Sequence, residues 1–141
     1  MIRIVADTNV VVSACIGRGP ASKVIEACLD GRCKPYLSGP LLMEYRDVFS
    51  RDAPFKNARL SLAERWDLLE AFVARCEWGI AHFTWRPNLR DEADNHLIEL
   101  AIAVNAHILV TSNTRDFAHA ELRFPHLKIE LPEETAKRLL R

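Results

Sequence analysis

Short apolar runs alternate with segments of helical period along this chain, and that alternation constrains the fold more than any other feature. Ile2-Arg3-Ile4-Val5-Ala6, Lys34 to Ser38, Gly79 to Phe83, His107-Ile108-Leu109-Val110-Thr111 and Leu127-Lys128-Ile129-Glu130 read as strands. Helix signals fill the gaps. Pro20 opens a helix through about Asp30 that Gly31 stops, and Gly39-Pro40 starts another carrying Leu41, Leu42, Met43, Glu44, Tyr45 and Val48. Ser61-Leu62-Ala63-Glu64 matches a capping box. Leu62, Trp66, Leu69, Phe72, Val73 and Cys76 follow it at helical spacing, an amphipathic helix of about four turns whose apolar face belongs in the core. The turn-prone Arg86-Pro87-Asn88 leads to Asp91 and a helix over Ala93 to Asn105, with Leu97, Ile98, Ala101 and Val104 on one face; Pro132-Glu133-Glu134 opens a last short helix with acids in its first turn. Strands joined through helices require parallel crossovers. The expected fold is therefore a three-layer α/β/α sandwich around a central, mostly parallel five-stranded sheet.

A chain of 141 residues and 16.0 kDa suits one domain over 1–141, burying about two thirds of the surface that its unfolded form exposes. Lys plus Arg and Asp plus Glu number 19 each, so no global basic field marks a nucleic-acid binder and any phosphate affinity is local. No apolar run approaches the roughly 20 residues that span a membrane, and the N-terminus lacks a positive region followed by an apolar one. The expectation is a soluble, cytoplasmic protein with no membrane partner. Cys15, Cys28, Cys33 and Cys76 show no C-x-x-C spacing and the five histidines form no H-x-x-x-H pair, so buried free thiols are favoured over a zinc site.

The chemistry sits in the acids. Asp7 ends the first apolar run, at the strand end where open α/β sheets bind ligands, and an ionised carboxylate there is costly to desolvate without a partner or a metal. Glu44 lies early in its helix, Asp94 near the start of a later one, and Asp116 just beyond the strand that ends at Thr111. Converging carboxylates repel, so a cluster of three or four is stable mainly around divalent cations, and hard oxygen ligands suit Mg²⁺ or Mn²⁺. Each acid has a plainer use as well. Asp7 also fits a turn residue that accepts backbone amides. Glu44 also fits a solvated helix residue beside Arg46 and Asp47, the favoured reading on local sequence alone; Asp91 and Asp94 compete to cap one helix; Asn113 and Asp116 compete within Thr111-Ser112-Asn113-Thr114-Arg115-Asp116-Phe117, which also fits an ordinary capped turn. We assign Asp91 to the cap and Asp94 to the site.

Four segments taken together are similar to the PIN-domain family, in particular its bacterial toxins of toxin–antitoxin pairs: Asp7-Thr8-Asn9-Val10, Leu37-Ser38-Gly39-Pro40-Leu41-Leu42-Met43-Glu44-Tyr45, Asp91-Glu92-Ala93-Asp94-Asn95-His96, and Val110 to Phe117. The resemblance extends over nearly the whole chain, and its weight lies in the order and spacing of all four. It implies an acidic, metal-binding catalytic site of Asp7, Glu44, Asp94 and Asp116, with Asn9 and Thr111 as polar neighbours and Asn113 where many PIN domains carry an acid. It further implies metal-dependent endonucleolytic cleavage of single-stranded RNA with Mg²⁺ or Mn²⁺, a cognate antitoxin, and a homodimer. The apolar content of 49%, with Trp66, Trp78 and Trp85, agrees with self-association.

Arg18, Arg46, Arg51, Lys56, Arg59, Arg86, Arg90 and Arg115 are candidates for flanking phosphates, most of them ordinary surface, while Trp85 and Phe55 favour packing over base stacking. The alternative from another class is a catalytically impaired module of the same fold acting by RNA or protein binding, which Asn113 keeps open. A receiver-like phosphotransfer domain also places an Asp after a parallel strand. It fits poorly, because no Asp-x-Asp pair follows the first strand and no Lys ends a later one.

Overall fold

In the computed structural model, which describes residues 1–80 and 95–140, five strands form one parallel sheet: β1 (Arg3–Ala6), β2 (Lys34–Leu37), β3 (Glu77–Trp78), β4 (Ile108–Val110) and β5 (Lys128–Glu130). Their order is β3-β2-β1-β4-β5, with Ile4 opposite both Pro35 and Ile108. The chain thus builds outward from β1 to one edge, then returns to the other side of β1. Ile4, Val5 and Ala6 are all buried, as are Ile108, Leu109 and Val110, because helices cover both faces of a parallel sheet.

Seven α-helices are described: α1 (Thr8–Ile16), α2 (Pro20–Leu29), α3 (Gly39–Phe49), α4 (Leu62–Arg75), α5 (Asn95–Ala103), α6 (Ala118–Arg123) and α7 (Pro132–Leu139). α2 packs on α1, α4 and α7, whereas α5 packs on β1 and β4 and α6 on β5. Right-handed crossovers in opposite directions place these two groups on opposite faces, which makes the three-layer α/β/α sandwich. Among the described residues no helix is long and apolar enough to cross a membrane.

The helix boundaries have local causes. Ser61 Oγ accepts from Glu64 N–H at 3.2 Å while the Glu64 carboxylate accepts from Ser61 N–H at 2.9 Å, the reciprocal box that starts α4. Gly31, at φ 77°, and Asn105, at φ 55°, close α2 and α5 in the same way. Arg32 N–H donates to Ala27 O and Ala106 N–H to Ala101 O, so the left-handed residue turns the chain while the last carbonyls stay satisfied.

Several expectations are corrected. No local signal marks α1, whose run of Val10, Val11 and Val12 has weak helix propensity and little amphipathic contrast; burial of Val10, Val11, Ala14 and Cys15 imposes the helix. The third strand is Glu77–Trp78 rather than Gly79 to Phe83, of which 81–83 lie outside the described residues. It stops where α5 packs against the backbone: a Cβ on Gly79 would stand 2.4 Å from Val104 Cγ1 and 2.6 Å from Leu100 Cδ1. Leu62 is exposed, not core, because it is the first residue of α4; Arg65 takes an inward place, its guanidinium 4.2 Å from the centre of the Phe55 ring. Phe55 itself is buried and packs edge-on against Phe49, so it stacks on the core. All four cysteines are free thiols, with Cys15, Cys28 and Cys33 buried.

Candidate metal centre

The crevice between β1 and β4 is the point where the strand order reverses, and the chain turns away from the sheet there at Asp7 and at Thr111. Such a reversal leaves a gap at the carboxyl ends of the strands that no crossover fills. A cleft of about 470 Å³ opens at this point, lined by Asp7, Asn9, Glu44, Asn113 and Asp116 together with Thr8 and Ser13.

Asp7 is buried at the N-cap of α1 but makes no side-chain capping bond; its carboxylate is directed by Thr111, far away in sequence, and by Asn9 on α1. Thr111 Oγ1 donates to Asp7 Oδ2 at 2.8 Å, and Asn9 Nδ2 donates to the same oxygen at 3.3 Å. Thr111 Oγ1 in turn accepts from Asn113 N–H at 3.1 Å, and Asn9 Oδ1 accepts from Ser112 N–H at 3.1 Å. The segment after β4 is thereby tied to the end of β1. Burial raises the Asp7 carboxyl above its ordinary value near 3.8; the Thr111 hydrogen bond lowers it in part, and the Glu44 charge raises it again.

Glu130 shows what an ordinary buried carboxylate looks like in this fold. It too ends a strand and is 4% exposed, but Arg138 meets it at 2.5 Å and Thr135 Oγ1 donates at 3.0 Å. Asp7, 7% exposed, has no cation within ion-pair distance among the described residues. Its cost of burial is therefore left without a counter-charge.

Glu44 reaches the cleft from the first half of α3. Ser38 caps this helix by accepting from Leu41 N–H at 3.2 Å, and Tyr45, fully buried, donates its hydroxyl proton to Ala6 O at 2.5 Å. That bond pins α3 to the residue before Asp7, so Glu44, next to Tyr45, is set at the cleft wall. Desolvation pushes the Tyr45 hydroxyl pKa well above its usual value, keeping it a donor. Glu44 pairs with His96 Nε2 at 3.0 Å and not with Arg46, so the solvated-face reading does not describe it.

Asp116 lies in a 3₁₀ turn, Thr114–Phe117, which precedes α6 and has no side-chain capping bond. Asn113 Nδ2 donates to Asp116 Oδ2 at 2.6 Å, so both side chains face one cleft wall. Asp94, with Asp91, Trp85, Arg86 and Arg90, lies outside the described residues. Among the described residues no three His, Cys, Asp or Glu side chains are close enough to form a ready coordination group. Of the basic candidates, Arg51 is paired with Asp47 at 2.5 Å and Arg59 donates to Ala14 O at 3.1 Å.

Thr8, Ser13 and His96 were missed as site residues. Thr8 is 5% exposed and its Oγ1 is buried without a hydrogen-bond partner among the described residues while lining the cleft, a signal that only the packing reveals.

The family model for the PIN domain matches residues 3–115, which takes in Asp7, Glu44 and Asn113 and stops one residue before Asp116. No curated protein and no solved structure matches the chain.

Proposed function

The chain belongs to the PIN-domain family, a nuclease fold, and from that membership we propose that it is a metal-dependent endoribonuclease cleaving single-stranded RNA, acting as the toxin of a toxin–antitoxin pair. The observation that carries this reading is the meeting of Asp7, Glu44 and Asp116 on the walls of one cleft at the strand-order reversal.

The residues fit a divalent cation. The donors are carboxylate and amide oxygens, the ligands of hard ions such as Mg²⁺ or Mn²⁺, and PIN-domain nucleases generally use divalent metals. Asp7 is buried with a raised pKa, and among the described residues it has no paired cation and the Thr8 hydroxyl beside it has no partner, so the cleft is polar beyond what these contacts satisfy. Asp7, Glu44 and Asp116 would hold the ion, with Asp94 as the fourth acid. When bound, a divalent ion lowers the pKa of water and offsets charge on phosphate oxygens.

The chain's own part is to position. Thr111 and Asn9 fix the direction of the Asp7 carboxylate, and Asn113 fixes that of Asp116, so the acids are oriented before anything binds. In-line attack by water on the phosphodiester leaves a 5′-phosphate and a 3′-hydroxyl. Of the basic candidates, Arg18, Arg46, Lys56 and Arg115 are the described ones left for flanking phosphates, consistent with a chain of zero net charge that binds a polyanion only locally. The protein works in the cytoplasm as a homodimer bound by its antitoxin, and light scattering should give twice the 16.0 kDa chain mass.

The test is incubation of purified protein with single-stranded RNA and Mn²⁺ or Mg²⁺, with and without chelator, and mapping of the ends produced. Chelator-sensitive cleavage to 5′-phosphates is expected. A small upstream gene for a DNA-binding protein would support the toxin role. The second reading, an impaired module acting by RNA or protein binding, draws on Asn113 standing where many PIN domains carry an acid and on the absence of a ready three-ligand group among the described residues. It is favoured if no RNA is cut and millimolar Mn²⁺ adds no thermal stability.

A further inference from the structure

Glu44 has a long side chain on a cleft wall, 34% exposed, and a glutamate so placed surrenders rotamer freedom on binding a ligand unless something has already fixed it. His96, on α5, does this from outside the cleft. Its Nε2 stands 3.0 Å from Glu44 Oε2, and since a carboxylate only accepts, Nε2 carries the proton and donates. The other ring nitrogen, Nδ1, is buried and has no hydrogen-bond partner among the described residues. A histidine placed for its own burial satisfies both nitrogens; among the described residues this one is directed at Glu44 alone.

We propose that His96 is a positioning residue for the cation site: its Nε2–H holds one oxygen of Glu44 and leaves the other for a divalent ion. The proposal rests on the nuclease reading above. The bond also ties α3 to α5, on which it packs, so Glu44 is held from a neighbouring helix as well as within its own. Outer contacts of this kind around metal ligands change affinity about 10- to 100-fold when removed.

The test is calorimetry with MnCl₂ alone, without RNA, on the full chain and five variants. His96→Ala should weaken Mn²⁺ binding roughly 10-fold. His96→Gln, whose amide nitrogen reaches the place of Nε2, should restore most of that affinity, whereas His96→Asn, one methylene shorter, should not. In a Glu44→Gln background, His96→Ala should have little further effect, since the two residues act as one unit. Equal affinity in wild type and His96→Ala, or equal affinity of the Gln and Asn variants, overturns the proposal and leaves the nuclease reading standing. If His96→Ala does not fold, the Gln and Asn pair decides alone. A wild type that binds no Mn²⁺ overturns the nuclease reading, and the proposal with it.

Discussion

Thr111 Oγ1 and Asp7 Oδ2 are 2.8 Å apart across 104 residues of sequence, a hydrogen bond that joins the ends of β1 and β4 beneath the cleft. The Thr111 hydroxyl is fully buried and accepts from Asn113 N–H, so its own proton is directed at Asp7. Thr111→Val keeps the shape and removes the donor. It should destabilise the chain by about 1–3 kcal/mol, through a buried carboxylate and a backbone N–H left short of partners, and should weaken Mn²⁺ binding. Thr111→Ser should retain both properties. Chemical denaturation and calorimetry check this.

Asp7→Asn should abolish metal-dependent RNA cleavage while stabilising the metal-free protein. The folded-state pKa of Asp7 lies above its ordinary value near 3.8, so at neutral pH the wild type carries a charge that folding disfavours. The variant's advantage should be full above the folded-state pKa, shrink as the pH falls through it, and vanish below 3.8, where Asp7 is neutral in both states. A gain on the order of 1 kcal/mol, a few degrees in Tm, is expected. Melting curves between pH 3 and pH 7 without metal, and a cleavage assay with it, test both halves.

Asn113 and Asp116 share a 2.6 Å hydrogen bond but not a role. A carboxylate is a stronger ligand than an amide for a hard cation, so Asp116→Ala should weaken Mn²⁺ affinity more than Asn113→Ala. Calorimetry giving the reverse order would hand the ligand position to Asn113 and leave Asp116 as a turn residue.

Gly79→Ala should cost about 1–3 kcal/mol, because the new methyl group would meet Val104 Cγ1 at 2.4 Å, and a β-branched valine has little χ1 freedom with which to yield. Val104→Ala should relieve that strain. A double-mutant cycle by denaturant unfolding should therefore show the two substitutions less damaging together than their sum.

Local physics made much of the architecture legible from the sequence alone. Apolar runs ending in Asp7 and Thr111, the Ser61 and Glu64 pair, Pro20 and Gly31 around one helix, and Pro132 before another each act over a few residues, so alternating strands and helices, and hence a parallel sheet, follow from the order of residues. Asp7 stood out for the same reason, a charge at the end of an apolar run. What the sequence left open depended on which distant residue came to stand opposite. Glu130 and Asp7 both end strands, yet only the packed fold gives Arg138 to the first and Thr111 to the second. α1 is helical because its valines are buried from several sides, a tertiary cause with no local period, and Glu44 is a cleft residue because Tyr45 anchors its helix on Ala6, 39 residues back. Periodicity and capping are set by neighbours in the chain and can be read there; partners, desolvation and the convergence of acids are set by neighbours in space, which only the tertiary structure decides.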